Sequence, residues 1–383
     1  MPEFIDFYES TGLANISWQQ AVMVLVGLGF IFLAVARNME PYELLPIGLG
    51  VLVVNLPLTG LTVLPTAASG VQEAGIFGIS FHYGLAFWNI LPPLMFLGLG
   101  AGTDFGPMIA NPKTLLLGAA AQIGIFAAFW GALATGLFTI PEAAAIGIIG
   151  GADGPTTIFI SAKLAPDMLG ITAVIAYSYV ATVAFIQPPL MKLFTTKRER
   201  EIEMKPLRDV SRSEKLIIPT FIMIVVILIV PRSAPLISLF MIGNILKESG
   251  VVPRLTQAAT DVILYPATIF LMLTIGAQLE AERVFDVETI VILVLGLAAF
   301  SAGTTGGILF AKFMNLFLKD KINPLIGSAG VSAVPMAART SHHLGQEADP
   351  KNFLLYHAMG PNTAGVIGSA AVAGVFLALI QSG

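Results

Sequence analysis

Long apolar segments follow one another along almost the whole chain, separated by short polar links. They lie at residues 20–36, 42–59, 88–102, 114–136, 143–161 and 169–191, and again at 216–231, 234–246, 262–279, 289–317, 322–338 and 354–380. A helix that spans a membrane needs about 20 residues, so the shorter segments are expected to be broken, re-entrant or tilted. The pattern predicts an all-α polytopic membrane protein that resides in the lipid bilayer.

The composition agrees with a membrane protein and excludes several other classes. Of the 383 residues, 56% are hydrophobic and 11% are charged, whereas soluble domains carry about 25% charged residues. The chain has no cysteine, so disulfides, thiolate metal sites and cysteine nucleophiles are excluded. The basic residues do not coincide with stacking aromatics, so nucleic acid is not an expected partner.

One polar run, from Lys192 to Lys215, interrupts the apolar pattern and holds eight of the 20 Lys and Arg residues. Basic loops stay in the cytoplasm, so this run is predicted to lie inside the cell. It is either a solvated linker or a docking surface for a soluble partner. We therefore divide the chain into a first membrane repeat at 1–191, a cytoplasmic basic loop at 192–215 and a second membrane repeat at 216–383.

The two halves contain six apolar segments each, and they also resemble each other in sequence. Residues 96–102 resemble residues 270–276, and each stretch leads into a long segment rich in glycine and alanine. Residues 147–155 align with residues 327–335, where two glycines and the final proline fall at the same spacing. This likeness predicts an internal repeat.

The charges suggest that the two repeats are inverted. No Lys or Arg precedes Arg37, so the N-terminus is expected outside. Lys319 and Lys321 precede the second motif, whereas Glu142 precedes the first. These links fall on opposite sides if each motif enters the membrane without a simple crossing. The fold prediction is therefore two inverted repeats whose broken or re-entrant helices meet near the membrane midplane.

The first motif places an acid, Asp153, inside an apolar segment, where a carboxylate costs roughly 2.5–3.5 kcal/mol on insertion scales. Gly150, Gly151, Gly154 and Pro155 surround it and oppose a regular helix. Broken backbone at membrane depth is tolerated where it lines a cavity, and its free carbonyls, such as that of Gly151, are ligands for a hard cation. One carboxylate among neutral oxygens suits sodium. The structural alternative is that Asp153 only caps the broken helix.

The second motif has no acid and offers neutral oxygens from Asn323 and Ser332, followed by Arg339. Arg339 either anchors the chain at the interface or pairs with a carboxylate or an anionic substrate. Asn362 lies in another interrupted apolar run. Its side chain either links neighbouring helices by hydrogen bonds or is a cation ligand. Tyr179, in the segment after the first motif, is either an anchor or a group that exchanges protons or ions.

Three histidines, His342, His343 and His357, suggest a transition-metal site at first sight. Their spacing is poor for metal ligands, so no such site is expected. The chain also has no nucleotide-binding loop and no plausible Ser-His-Asp triad.

Residues 150–156, Gly-Gly-Ala-Asp-Gly-Pro-Thr, resemble the signature of the β subunit of the sodium-pumping, biotin-dependent decarboxylases. That family acts on oxaloacetate, methylmalonyl-CoA, glutaconyl-CoA or malonate. Residues 323–339, the stretch that begins at 357, and residues 241–250 resemble the family as well. The likeness covers nearly the whole chain, and the first motif is highly specific.

The resemblance implies the following function. A soluble carboxyltransferase subunit moves a carboxyl group from the substrate to biotin on a carrier subunit, and the β subunit decarboxylates the carboxybiotin. This step consumes a proton and drives sodium out through the bacterial inner membrane. A small membrane subunit and further copies of the chain are expected partners, and biotin is expected on a partner rather than on this chain. The main alternative is a secondary sodium antiporter or symporter of the inverted-repeat type.

The resemblance also assigns roles to particular residues. The family's functional positions fall on Asp153, Tyr179, Asn323, Gly327, Ser332, Arg339 and Asn362. The predicted sodium ligands are Asp153, Ser332, Asn362, Asn323 and Gly151. The predicted catalytic residues are Asp153, Tyr179 and Arg339. Arg339 is expected to bind carboxybiotin, and Asp153 or Tyr179 to take up the proton. The carboxyl donor is left open, because the partner subunit selects it.

Overall fold

The computed structural model describes residues 2–38, 40–65, 71–281 and 287–381, and these residues form helices and connecting segments. The helices that precede the basic loop are α1 (Pro2–Glu9), α2 (Gly12–Asn15), α3 (Trp18–Arg37), α4 (Pro41–Val54), α5 (Ile76–Ile79), α6 (Leu91–Gly102), α7 (Gly106–Ala110), α8 (Thr114–Ala121), α9 (Ile123–Thr135), α10 (Ile140–Ile149), α11 (Gly154–Leu164) and α12 (Leu169–Phe194). The remaining helices are α13 (Lys197–Arg200), α14 (Arg212–Ile229), α15 (Ala234–Ser249), α16 (Pro253–Gln257), α17 (Leu264–Ala277), α18 (Val287–Phe317), α19 (Met336–Ala348) and α20 (Leu355–Ile380).

Several of these helices are long and apolar enough to cross a membrane. Within the described residues there are five such helices by length and hydropathy: Trp18–Arg37, Thr114–Thr135, Pro253–Ala277, Val287–Phe317 and Leu355–Ile380. Two bent pairs raise the number to seven if each pair is one span: Ile76–Phe87 with Leu91–Gly102 at 76°, and Pro166–Val180 with Val183–Phe194 at 62°. The prediction of an all-α polytopic membrane protein with broken helices is confirmed.

One combination of elements, a π-helix followed by an apolar α-helix, occurs in both halves. A π-helix, Ser80–Phe87, leads towards α6, and another, Ala258–Ile263, leads directly into α17. The halves also pack crosswise, because α4 lies on α17 while α15 lies on α6. Glycines permit these crossings: a Cβ on Gly50 would lie 2.4 Å from the carbonyl oxygen of Leu273, and one on Gly100 would lie 1.9 Å from that of Phe240.

The corresponding helices α6 and α17 end at opposite ends of the bundle. Asp104, just after α6, pairs with Lys215 of the basic loop at 3.2 Å, and this end is termed the basic end. Gln278, just after α17, packs against Gly170 at the start of α12. Because α12 ends at the basic loop, its start lies at the other end, termed the far end. An inverted repeat requires that corresponding helices run in opposite directions, as α6 and α17 do. A two-fold relation between the halves stays a prediction.

The basic loop is fastened to the second half of the chain. Asn323 donates its side-chain amide to the carbonyl oxygens of Arg200 and Ile202, at 2.8 and 3.0 Å. Asn352 donates to the same two carbonyls, at 2.9 and 3.2 Å. The division of the chain at 192–215 and the role of this loop as linker or docking surface stay predictions.

The crosswise packing can be tested with a matched pair of glycines in α6. We expect Gly100→Ala to lower the free energy of unfolding by about 1–3 kcal/mol, because the added methyl would overlap the backbone of α15. Gly102→Ala is the control, since a Cβ there has no described neighbour within 4 Å. Thermal unfolding of the detergent-solubilised protein measures both, and equal shifts for the two variants would contradict the crossing.

Candidate functional site

The first motif breaks the helix between α10 and α11, as its glycines and proline predict. Ala152 adopts a φ of 52°, outside the helical region, and Asp153 is the N-cap of α11. The Asp153 side chain accepts a hydrogen bond from the backbone N–H of Thr156 at 3.0 Å through Oδ1. The capping role weighed for Asp153 is therefore confirmed, and the other carboxylate oxygen is left for another partner.

That second oxygen meets a serine from the last helix of the chain. The Ser369 hydroxyl, on α20, donates to Asp153 Oδ2 at 2.5 Å, and the Ser332 hydroxyl donates to Ser369 Oγ at 3.2 Å. All three side chains are buried, and Asp153 is 5% exposed. The N-terminal end of α11 carries the positive end of its helix dipole, which favours a carboxylate at this point.

The second motif is also broken, and its break lies against the first. A 3-10 helix, Pro324–Gly330, ends before an extended stretch that leads into α19. The backbone N–H of Ser332 donates to the carbonyl oxygen of Gly151 at 2.8 Å. This bond joins the two broken segments directly, and it engages the Gly151 carbonyl that was predicted as a sodium ligand.

Asn362, on α20, supports the second break. Its side-chain amide donates to the carbonyls of Ala329, Val331 and Ala333, at 3.0, 2.8 and 3.4 Å. Its Oδ1 is buried and has no hydrogen-bond partner among the described residues. Seven helical positions separate Asn362 from Ser369, a distance of about 10 Å along the axis. Asn362 therefore holds the second break in place through its amide, keeps one oxygen without a partner among the described residues, and lies about two helical turns from Ser369.

A cavity of about 80 Å³ opens beside Asp153. Its polar lining comes from Glu43, Thr103, Asp153, Tyr177 and Ser332, and the remaining lining residues are apolar, glycine or proline. Helices α4, α6, α12 and α15 all contribute to this wall, so the cavity lies where the crosswise packing meets the two breaks. It offers two carboxyl groups and neutral oxygens to a small cation.

The structure turns Tyr177, rather than Tyr179, towards the cavity. The Tyr179 hydroxyl donates to the carbonyl oxygen of Leu293 on α18. The Tyr177 ring instead lies over Gly154, where a Cβ would be 2.2 Å from the ring carbon Cζ. The Tyr177 hydroxyl is buried, and no described residue forms a hydrogen bond with it. Two positions on a helix are about 200° apart, so only one of these tyrosines can face Asp153.

The other predicted site residues lie outside the cavity lining. Asn323 donates its amide N–H groups to carbonyl oxygens of the basic loop. Its Oδ1 caps the 3-10 helix by accepting a hydrogen bond from Leu325 N at 3.0 Å. Arg339 is exposed in the first turn of α19, close enough to Glu40 for their opposite charges to interact. Gly327 permits a close approach to α18, since a Cβ there would be 2.2 Å from the Gly307 carbonyl oxygen.

Sequence reasoning missed three residues of this site, Glu43, Tyr177 and Ser369. Glu43 carried a usable signal, because it is an acid near the start of an apolar segment. Tyr177 and Ser369 carried none, since a second tyrosine and a serine in a helix rich in glycine and alanine are ordinary membrane residues.

A second, larger cavity of about 850 Å³ lies at the basic end. Asp104 lines this outer cavity, while its neighbour Thr103 lines the inner one, so the end of α6 separates the two. Burial would raise the pKa of Asp104, but a hydrogen bond from the N–H of Gly106 and the charge of Lys215 outweigh it and lower that pKa. The Asp104 carboxylate is therefore held ionised beside the outer cavity.

Comparisons with known proteins bear on the whole chain. The family described as the Na⁺-transporting oxaloacetate decarboxylase β subunit matches residues 19–380. The methylmalonyl-CoA decarboxylase subunit β of Propionigenium modestum is 53% identical over 393 residues, covering 98% of each chain. The glutaconyl-CoA decarboxylase subunit β of Acidaminococcus fermentans is 50% identical, covering 97% of this chain and 96% of that protein. The oxaloacetate decarboxylase β chain of Klebsiella pneumoniae is 48% identical, with coverages of 96% and 97%.

The contact between Gly154 and Tyr177 makes the cavity sensitive to one methyl group. We expect Gly154→Ala to force the Tyr177 ring away from α11 and to abolish any rise in melting temperature on adding sodium. Gly29→Ala in α3 is the control, because a Cβ there would meet no atom of the described chain within 4 Å. Thermal unfolding in sodium chloride and in choline chloride measures this effect, and an unchanged sodium response in Gly154→Ala would contradict the placement of the ring.

Proposed function

The chain belongs to the family of sodium-transporting decarboxylase β subunits, and from that premise we propose that Asp153, Ser332 and Ser369 bind the transported sodium ion. The family is sodium-transporting and biotin-dependent, and a β subunit works in a complex with partner subunits in the bacterial inner membrane. The comparisons support this function over a free-standing sodium antiporter or symporter. The residue-level scheme rests on one observation, the buried contact of Asp153 with Ser369 and Ser332 beside the inner cavity.

The donor set suits a monovalent cation. Asp153 supplies one negative charge, and the hydroxyls of Ser332 and Ser369 supply neutral oxygens that can turn their lone pairs towards an ion. A sodium ion would then replace the proton of the Ser369 hydroxyl as the partner of Asp153 Oδ2. The carbonyl oxygen of Gly151, at the same break, would complete the site from the backbone.

Asn362 would act at a separate step of the ion path. Its free Oδ1 lies about two helical turns from Ser369, so one ion would not contact both. We assign to Asn362 a second, weaker position for sodium, and to Asn323 the structural task of holding the basic loop. Tyr179, whose hydroxyl bonds to Leu293, would take part only if α12 moves relative to α18.

Arg339 would receive the carboxylate of carboxybiotin. It is exposed in the first turn of α19, and a guanidinium pairs with a carboxylate through two parallel hydrogen bonds. The partner subunit would select the carboxyl donor, because relatives at 53%, 50% and 48% identity are named for three different donors. The expected partners are the carboxyltransferase subunit, the biotin carrier, a small membrane subunit and further copies of this chain.

The coupling of the two processes follows from linkage. Decarboxylation takes up a proton, and sodium and that proton would bind to groups around one small cavity. If protonation weakens sodium binding, then bound sodium must disfavour protonation by the same free energy. Movement of the two repeats against each other would expose the site to either side in turn.

Replacing the charged ligand tests the sodium site. We expect Asp153→Asn to weaken sodium binding by about 10–100-fold, since interactions with a charged group contribute roughly 1.5–3 kcal/mol. Asp167→Asn is the control, because Asp167 is exposed outside the site. Binding of radioactive sodium and sodium-stimulated breakdown of N-carboxybiotin by the intact complex are the measurements. The proposal is wrong if Asp153→Asn keeps normal sodium binding.

Arg339→Lys tests the substrate contact. The ammonium group keeps the charge but loses the paired hydrogen bonds, so we expect the KM for N-carboxybiotin to rise about tenfold while sodium affinity stays unchanged. Arg254→Lys, at an exposed arginine of α16, is the matched control. Steady-state kinetics at saturating sodium measure the effect, and an unchanged KM would remove Arg339 from the substrate site.

A further inference from the structure

The inner cavity contains a second acid that the sodium site does not use. Glu43 lies in the first turn of α4 and lines the cavity together with Asp153. Its Oε2 is buried and has no hydrogen-bond partner within the described part of the chain. Acids inside a membrane are rare because they are costly, so a buried carboxyl that faces an ion site requires a physical reason.

Glu43 forms a pair with Glu40, the N-cap residue of the same helix. The two carboxyl groups lie close enough to interact with each other. Ionised carboxylates only accept hydrogen bonds, so a bond between these two groups exists only when one of them carries a proton. Two neighbouring carboxylates repel each other, so the pair favours the state in which the two acids share a single proton.

The pair connects the two places where the proposed chemistry occurs. On one side, Glu40 lies within electrostatic reach of Arg339. On the other side, the Tyr177 phenol lines the inner cavity together with Glu43 and Asp153. Tyr177 is 4% exposed, and its hydroxyl lacks a partner among the described residues. Titratable groups thus run from the exposed arginine to the sodium site, contributed by α19, α4, α12 and the start of α11.

We propose that the Glu40–Glu43 pair, with the Tyr177 phenol, supplies the proton that decarboxylation consumes and takes its replacement from the inner cavity. This inference rests on the proposed function, since it takes Arg339 as the carboxybiotin contact and Asp153 as the sodium ligand. It assigns the proton step to groups other than Asp153 and Tyr179.

The bond between the biotin nitrogen and the carboxylate carbon breaks, carbon dioxide leaves, and the electron pair stays on the nitrogen. Glu40 gives that nitrogen the one proton that the pair shares, so both groups are then carboxylates. The ionised Glu43 is reprotonated from water in the cavity through the Tyr177 hydroxyl, which donates one proton and accepts another. No oxidant or reductant is needed.

The step also explains how proton uptake would act on sodium. A Glu43 carboxylate adds negative charge to the small cavity that holds Asp153, which favours a bound cation. Reprotonation of Glu43 removes that charge and favours release. Sodium would therefore be held most tightly just after decarboxylation and released after the pair has been reloaded.

The test compares Glu43→Gln, Glu43→Asp and Tyr177→Phe in the intact decarboxylase complex, with N-carboxybiotin as the probe. We expect Glu43→Gln to slow its breakdown by about 100-fold, in the range of general acid catalysis. The alkaline limb of the rate profile should move to lower pH, because the amide introduced by Glu43→Gln donates to Glu40 and favours its ionised form. Glu43→Asp should recover part of the rate. Glu9→Gln, at an exposed acid of α1, is the control.

Sodium binding, measured separately with radioactive sodium, distinguishes the possible roles. The relay is supported if Glu43→Gln and Tyr177→Phe alter the pH profile of decarboxylation while sodium still binds. It is overturned if both variants keep the wild-type rate and pH profile. It is also overturned if Glu43→Gln loses sodium binding with an unchanged pH profile, because Glu43 would then be a sodium ligand.

Tyr177→Phe removes only a hydroxyl and serves as the test if Glu43→Gln does not fold. Failure of the sodium site appears in Asp153→Asn instead, so the two failures can be told apart.

Discussion

Backbone that leaves its helix inside a membrane must find hydrogen-bond partners within the protein, because lipid offers none. Both broken segments of this chain meet that constraint by pairing with each other and with α20. The Ser332 N–H donates a hydrogen bond to the Gly151 carbonyl. The Asn362 amide donates hydrogen bonds to three carbonyls of the second break. Once the breaks are paired in this way, Asp153 is fixed at the start of α11, with Ser369 against its free oxygen.

The helices of the two halves also pack crosswise, α4 on α17 and α15 on α6. Close glycine contacts such as Gly100 on Phe240 let α6 and α15 approach. This packing brings α4, an early element of the chain, to the wall of a cavity built mainly by later ones. Glu43 therefore reaches the neighbourhood of Asp153, although 110 positions separate the two residues in the sequence.

A small cavity that holds two acids, a phenol and two hydroxyl oxygens ties ion binding to proton binding. In a medium of low dielectric constant, a charge gained or lost on one group changes the free energy of every neighbour. Sodium at Asp153 and a proton on the Glu40–Glu43 pair, as proposed, would thus influence each other without direct contact. Arg339, outside the inner cavity, would connect this exchange to the proposed substrate through its interaction with Glu40.

The sequence by itself determined the membrane class, the broken segments and the place of an acid, Asp153, at the first break. Apolar length and glycine–proline clusters act locally, and an acid in an apolar run is visible without any partner. The tertiary structure alone decided that Tyr177 rather than Tyr179 faces the cavity, that Ser369 completes the Asp153 contact, and that Asn323 holds the basic loop. Ser369 lies 216 positions from Asp153. Such pairs depend on how helices rotate and cross, and hydrophobic periodicity does not encode that rotation when nearly every face of a helix is apolar.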